Sequence, residues 1–168
     1  LEVLRLNNNH LEALPEEILA LPNLLQFNLH HNELVEIPEE INQLEKLEIL
    51  TLHGNQLKKI PNDIGRLQNL SLLSLHNNCL TSLPESLCSL SHLVDLNLGS
   101  NRLQQLPKNL GQLTLLKELH AGGNHLTYLP ALGSLSHLKE LWLANNTLQE
   151  LPEDIGGLLA LEYLDLSN

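Results

Sequence analysis

The feature that most restricts the fold of this chain is a short repeat that runs through its whole length. The string LxxLxLxxNxLxxLP begins at Leu1, Leu24, Leu47, Leu70, Leu93, Leu116, Leu138 and Leu161. Successive starts are 23 residues apart, except for a step of 22 between Leu116 and Leu138. A fixed period of this length marks a stack of small units that bury their apolar sides against one another. The 168 residues therefore predict one elongated repeat domain.

The LxxLxL segment of each repeat has the alternation of a short β-strand. Its fourth and sixth residues share one face of the strand, and the residues between and around them point to the other face. One strand per repeat, always running the same way, gives a parallel sheet with ~4.8 Å between neighbouring strands. Because 49 residues are leucine and only 2% are aromatic, we expect an aliphatic core behind this sheet.

Two further columns complete the repeat. Asparagine stands at the ninth position of repeats one to seven, and we expect its side-chain amide to bond to backbone groups of the adjoining turn. Proline stands at the fifteenth position, where it suits the first turn of a short helix. Acidic residues such as Glu16 and Glu39 follow the proline, where a helix N-terminus favours negative charge. We expect these carboxylates to lie in solvent on the side away from the sheet.

These columns resemble the leucine-rich repeat family over the whole chain. The LPxxI segment and the 23-residue period resemble the intracellular subclass found in Ras-pathway and cell-polarity scaffolds. The resemblance implies an α/β solenoid, or horseshoe, with a parallel β-sheet on the concave face and short helical or 3-10 segments on the convex side. It also implies a protein-interaction module or scaffold that acts in signalling or assembly in the cytoplasm.

We expect a single domain that spans residues 1–168. Repeat six departs from the pattern because Ala121 replaces an inward leucine and the segment from Tyr128 to Leu132 is one residue short. A local change of curvature is therefore expected around residues 120–133. Neither end shows the polar capping unit that a solenoid needs, so we expect the chain to be an interior stretch of a longer protein.

Strands in register place equivalent positions of successive repeats in columns across the sheet. His30, His53 and His76 follow one another in the seventh column, with His31 beside the first. Imidazoles ~5 Å apart can meet at one zinc ion, but no accompanying carboxylate is evident from the pattern. A neutral stack is preferred, and we expect no metal and no cofactor. A metal- or pH-responsive binder is kept as an alternative, since protonation below pH ~6 would place like charges side by side.

The third and fifth columns carry the other candidate contacts. Asp95, Glu118 and Glu140 are consecutive in the third column and form either a docking strip for a basic segment of a partner or a screened solvent face. The only tryptophan, Trp142, points outward near Tyr163. Exposed aromatic residues beside small ones are typical of binding hot spots, although Trp142 would equally cover the last repeats.

Small residues at 99, 122 and 144 predict a shallow trough beside the aromatic pair. An outward apolar strip that includes Ile49 and Leu72 is a second candidate contact zone. The predicted partner-binding residues are Trp142, Tyr163, Glu118, Glu140, Asp95, His120, Asp165, His30, His53, His76, Ile49 and Leu72.

Several function classes are disfavoured by composition and motifs. The net charge of −11 argues against nucleic acid or an anionic membrane as partner, because both require clustered Lys and Arg. No phosphate-loop or GxSxG string is present, so we expect no enzymatic activity. Cys79 and Cys88 indicate reduced thiols, and no segment resembles a signal peptide.

We therefore expect a protein partner, bound on the concave face by a cytoplasmic module. The pattern predicts no oligomeric state. The competing interpretation is that this stretch is the substrate-recognition arm of a larger enzyme, such as a ubiquitin ligase, a phosphatase complex or a kinase. The sequence on either side of the stretch would separate the two.

Overall fold

A computed structural model describes residues 1–168. Each repeat contributes one three-residue strand. The strands are β1 (Val3–Arg5), β2 (Gln26–Asn28), β3 (Ile49–Thr51), β4 (Leu72–Ser74), β5 (Asp95–Asn97), β6 (Glu118–His120), β7 (Glu140–Trp142) and β8 (Tyr163–Asp165). They form one parallel eight-stranded sheet in chain order, and equivalent repeat positions pair throughout, as Leu96 pairs with Leu119. The predicted sheet and its columns are confirmed.

Short helical segments lie between the strands. One is an α-helix, α1 (Glu16–Leu19). The others are 3-10 segments, Glu39–Gln43, Ile64–Arg66, Glu85–Ser89, Leu110–Gln112 and Glu153–Gly157. None is long and apolar enough to cross a membrane.

The repeat prolines lie before these helices and not within their first turn. Pro15 is extended, with φ −69° and ψ 139°, and α1 begins at the next residue. Its carbonyl oxygen accepts a hydrogen bond from the backbone N–H of Ile18, which closes the first turn. A proline in this place loses nothing by lacking an N–H, so the physical reason holds although the expected position was wrong by one residue.

Repeat six has no helix between β6 and β7. Its shortened segment crosses the back of the molecule in turns, while Ala121 is fully buried and Leu119 still pairs with Leu141. The missing residue thus removes a helix without interrupting the sheet. The expected change of curvature stays a prediction.

One continuous aliphatic core runs along the molecule behind the sheet. Its 41 buried residues are almost all leucine and isoleucine, and they form a single cluster. Leu96 and Leu98, at the fourth and sixth positions, are fully buried, as the alternation predicted. In β8 the equivalent Leu164 is 40% exposed.

The asparagine column ties each repeat to the one before it. Asn101 Oδ1 accepts the backbone N–H of Leu80 at 3.0 Å. Its Nδ2 donates to the carbonyl of Leu75 at 3.0 Å and to that of Leu98 at 3.0 Å. The same pattern recurs at Asn32, Asn55, Asn78, Asn124 and Asn146. The predicted role of the column, to satisfy buried backbone groups, is confirmed.

The eighth position of every repeat has a left-handed backbone. The residues there are Asn8, His31, Gly54, Asn77, Ser100, Gly123, Asn145 and Asn168, with φ between 52° and 66°. Gly and Asn adopt this conformation at little cost. Here the chain leaves the strand direction and turns toward the back of the molecule. His31, with φ 54°, and Ser100, with φ 52°, are the two residues at this position that are neither Gly nor Asn.

Candidate functional site

The candidate contacts lie on the side of the sheet that faces away from the core, called the sheet face below. It consists of the third, fifth and seventh positions of the repeats. The columns inferred from the sequence are real neighbours, since Glu118 pairs with both Asp95 and Glu140 across β5, β6 and β7. The face divides into a histidine cluster (His30, His31, His53 and His76) and an acidic–aromatic patch (Asp95, Glu118, Glu140, His120, Trp142 and Tyr163).

The histidine cluster is built around a stack of parallel rings. The ring centroids of His30 and His53 are 4.4 Å apart with 7° between the planes, and those of His53 and His76 are 4.2 Å apart with 10°. The hydroxyl of Ser74 lies 3.2 Å from Nδ1 of His53 and 3.0 Å from Nδ1 of His76. The three rings therefore cover β2 to β4 as a packed layer.

Close packing keeps these rings neutral. Burial is the largest cause that lowers the pKa of His53, the neighbouring imidazoles of His76, His30 and His31 act in the same direction, and together they bring it to about 4. Burial is also the main cause of the lowered pKa values of His30 and His76. The expectation that the stack becomes charged below pH ~6 is therefore wrong for His53, because partial burial resists the charge until the solution is more acidic.

Acidification should weaken the fold in the window between pH 6.5 and about 4. The unfolded His53 takes up a proton near 6.5, whereas the folded residue does so only near 4, so the unfolded state binds more protons in between. The free energy of unfolding should fall as the pH drops through this window and level off below it. Urea unfolding at several pH values measures this.

His53→Asn is the matched variant, because repeat one carries Asn7 at the same position. It should show a shallower loss of stability on acidification, with the remainder due to His30 and His76. Equal pH dependence in the two proteins would contradict the assignment.

The acidic–aromatic patch holds its tryptophan between two other rings. The His120 and Trp142 rings stack with centroids 5.6 Å apart and 15° between the planes, and Tyr163 lies 4.1 Å from Trp142 on the other side. Trp142 Nε1 donates a hydrogen bond to Glu140 Oε2 at 3.0 Å. The indole is half-buried and Tyr163 is 42% exposed. The aromatic surface is thus ordered and still open to solvent.

The carboxylates of the patch pair with no lysine or arginine. Burial, followed by repulsion from Glu118, raises the pKa of Asp95, and His120 opposes the rise. His120 Nε2 lies 3.7 Å from Glu118 Oε2. No lysine or arginine pairs with any of the three carboxylates of the third column, and Lys139 pairs instead with Glu162 at 2.7 Å. The column therefore presents negative charge that a cation can neutralise.

A shallow depression of about 310 Å³ lies between the histidine cluster and the acidic–aromatic patch. Its floor includes Gly99, Gly122 and Ala144, and His76 and Trp142 lie at its margins. A Cβ at Gly122 would lie 2.9 Å from the carbonyl oxygen of Ala144, so the floor is low because the residue is glycine. This is the trough that the small residues predicted.

Other candidate residues lie apart from the patch or are engaged locally. Asp165 Oδ1 accepts hydrogen bonds from the backbone N–H and the hydroxyl of Ser167, at 3.0 and 2.7 Å. Ile49 and Leu72 are neighbours on β3 and β4, and both are half-buried, so they offer a smaller apolar strip than expected. The acidic–aromatic patch thus lies at the C-terminal half of the sheet face, and the histidine cluster lies at its N-terminal half.

Two sets of interactions were missed by the sequence reasoning. The Nδ1 and Nε2 atoms of His30, His31 and His53 include three that lie within 4.8 Å of one another, although His31 is not in the seventh column. On the back of the molecule, Glu85 accepts the backbone N–H of Lys108 at 2.7 Å, and Asp154 accepts that of Gly133 at 2.7 Å. Glu85 and Asp154 are exposed, as expected, and in addition they link neighbouring repeats. Each carboxylate lies 21 to 23 residues from its donor, which is close to the repeat period, and this spacing could have indicated a contact between neighbouring repeats.

Comparison with known families gives matches along most of the chain. A model described as "Leucine rich repeat" matches residues 1–57 and 45–103, and one described as "Leucine Rich repeats (2 copies)" matches residues 114–153. A search of the curated proteins found no match.

Three solved structures illustrate the similarity. A leucine-rich repeat protein of Leptospira interrogans is 37% identical over 99% of this chain and 55% of its own, with a TM-score of 0.68. An internalin of Listeria monocytogenes is 30% identical over 92% of this chain and 45% of its own, with a TM-score of 0.77. A TDR receptor is 28% identical over 92% of this chain and 28% of its own, with a TM-score of 0.84. The chain thus spans about half of the first two proteins and less of the third.

Proposed function

The chain belongs to the leucine-rich repeat family, whose domains are protein-interaction modules, and from this premise we propose that it binds a protein partner through the sheet face. The acidic–aromatic patch is the centre of the contact. The observation that carries the proposal is the indole of Trp142, which is stacked between His120 and Tyr163. It lies beside an open depression and beside carboxylates that pair with no lysine or arginine.

The aromatic side chains supply the anchor. A tryptophan that is already fixed by stacking and by its bond to Glu140 loses little conformational freedom when a partner covers it. Binding energy in protein interfaces concentrates on such residues, with Trp and Tyr strongly represented. The depression next to Trp142 can accept a side chain of the partner.

The carboxylates select the partner by charge. Asp95, Glu118 and Glu140 repel one another on adjacent strands, and a lysine or arginine placed over the column removes this repulsion. The net charge of −11 steers a basic segment toward the protein. The partner segment is therefore basic, with an apolar side chain for the depression.

The cellular role that we propose is that of a scaffold in cytoplasmic signalling or assembly, without catalysis by this chain. The support is the LPxxI pattern. In each case the proline carbonyl (Pro15, Pro38 and Pro61) accepts a hydrogen bond from the backbone N–H of the isoleucine three residues later. No nucleophile or phosphate-binding string accompanies it.

Trp142→Ala should weaken partner binding about 30-fold, or ~2 kcal/mol, because it removes the anchor. The melting temperature should change little, since the ring lies on the sheet face outside the core. Phage-displayed random peptides selected on the intact protein provide the ligand, and fluorescence anisotropy of the selected peptide measures its affinity for each variant.

The control is Tyr128→Ala, which removes an exposed aromatic ring that bonds to Gln105 away from the sheet face. It should leave the affinity unchanged.

The selected peptides should be enriched in lysine and arginine. Glu118→Lys should slow their association and make its rate less dependent on salt concentration. Peptides without basic residues, or an unchanged affinity in Trp142→Ala, would contradict the proposed site.

A further inference from the structure

Two observations single out the histidine cluster: three of its ring nitrogens lie close together, and one ring nitrogen has no hydrogen-bond partner. One ring nitrogen from each of His30, His31 and His53 lies within 4.8 Å of those of the other two. His30 Nδ1 is buried and has no hydrogen-bond partner, which is rare for a buried polar atom. We propose that these three imidazoles bind one divalent transition-metal ion of the zinc type, at a site separate from the acidic–aromatic patch.

The position of His31 is what turns the stack into a candidate metal site. Its ring stands nearly perpendicular to both of its neighbours, with centroids 5.3 Å from His30 at 81° and 5.2 Å from His53 at 87°. Parallel rings alone direct their in-plane lone pairs along parallel lines. The perpendicular ring of His31 brings a third nitrogen within 4.8 Å of one nitrogen of each stacked ring.

The backbone of two repeats makes this position possible. His31 occupies the left-handed eighth position, which directs its side chain away from the strand and across to the next repeat. There it lies over Gly54, where a Cβ would stand 2.5 Å from His31 Nδ1. A glycine in repeat three thus clears the space that the imidazole of repeat two occupies.

The chemistry of the donors determines the class of ion. Imidazole nitrogens favour zinc, copper and nickel over magnesium and calcium, which prefer oxygen. Zinc bonds at ~2.0–2.1 Å place tetrahedral ligands ~3.3 Å apart, so the rings close inward on binding. His31 is exposed, which leaves room for its imidazole to move toward the other two.

One hydrogen bond orients a ligand of the proposed site. The Ser74 hydroxyl lies 3.2 Å from His53 Nδ1 and leaves Nε2 of that ring available for the ion. Such hydrogen bonds to the second nitrogen are the usual support of a metal-binding histidine. His76 shares the same hydroxyl and stacks on the far face of His53, outside the set of three. The ion keeps at least one open coordination position on the sheet face.

Calorimetric titration of the metal-free protein with zinc chloride tests the site. The wild-type protein should bind one equivalent of zinc, and magnesium chloride should give no binding heat. His31→Asn should weaken zinc binding at least tenfold. This variant keeps the turn intact, because Asn8, Asn77 and Asn145 hold the same left-handed position in other repeats.

The control is His125→Asn, an exposed histidine outside the cluster, which should bind zinc as the wild type does. A second measurement is the zinc-induced rise in melting temperature, which should be present in the wild type and in His125→Asn and reduced in His31→Asn. With cobalt chloride, the visible absorption of tetrahedral cobalt should appear and be lost in the same variant. Absence of saturable zinc binding, or equal affinity in His31→Asn and wild type, would overturn the proposal.

Discussion

Asn101→Ala should lower the free energy of unfolding by about 3–5 kcal/mol, because three buried backbone groups lose their partner and each unmet group costs about 1–3 kcal/mol. The groups are the N–H of Leu80 and the carbonyls of Leu75 and Leu98. Alanine is too short to replace any of these bonds. Guanidinium unfolding followed by circular dichroism gives the change in midpoint.

Asn9→Ala is the matched control, since it removes the same residue type from the same repeat position. Asn9 is exposed and bonds only to the carbonyls of Leu6 and Asn7 within its own turn. We expect a loss below about 1 kcal/mol, because water replaces these bonds. Similar losses at the two positions would show that the asparagine column does not act by linking repeats.

Leu96→Ala should cost about 3–4 kcal/mol of unfolding free energy. Leu96 is fully buried in β5 with repeats on both sides, so truncation leaves a cavity that the neighbours cannot fill. Leu115→Ala changes a leucine that is 41% exposed in a repeat with neighbours on both sides, and should cost about 1 kcal/mol. The same denaturation measurement compares the two variants, and equal losses would contradict the assignment of Leu96 to a closed core.

Much of this fold could be predicted because one rule is repeated. The 23-residue period fixes which residues share a column, and alternation fixes which side each faces. Leu96 was therefore assigned to the core and Trp142 to the sheet face, and the structure has both there. The asparagine bonds followed as well, since a buried amide has few other ways to be satisfied.

The histidine cluster shows what the columns could not supply. His31 belongs to no column of the strand, because the left-handed turn at its position sends its ring across to Gly54 in the next repeat. A pattern of residue types contains no information on this side-chain direction. The pairing of Lys139 with Glu162, rather than with the acidic column, was hidden for the same reason.

Repeat six marks another limit of the pattern. The deletion predicted a disturbance but not its form, which is the loss of a helix. The bond from Gly133 N–H to Asp154 shows how the shortened segment is held: a carboxylate of the following repeat accepts a backbone group that no helix satisfies. This compensation lies between repeats, so it depends on their packing.

The asparagine column makes the molecule extensible. Each of its bonds reaches only to the adjacent unit, as those of Asn101 reach to Leu80 and Leu75. Duplication or removal of a whole unit in a gene would therefore leave every surviving junction with a complete set of partners. The surface available for binding can therefore lengthen by ~4.8 Å with each added repeat, while the packing of the existing core stays the same.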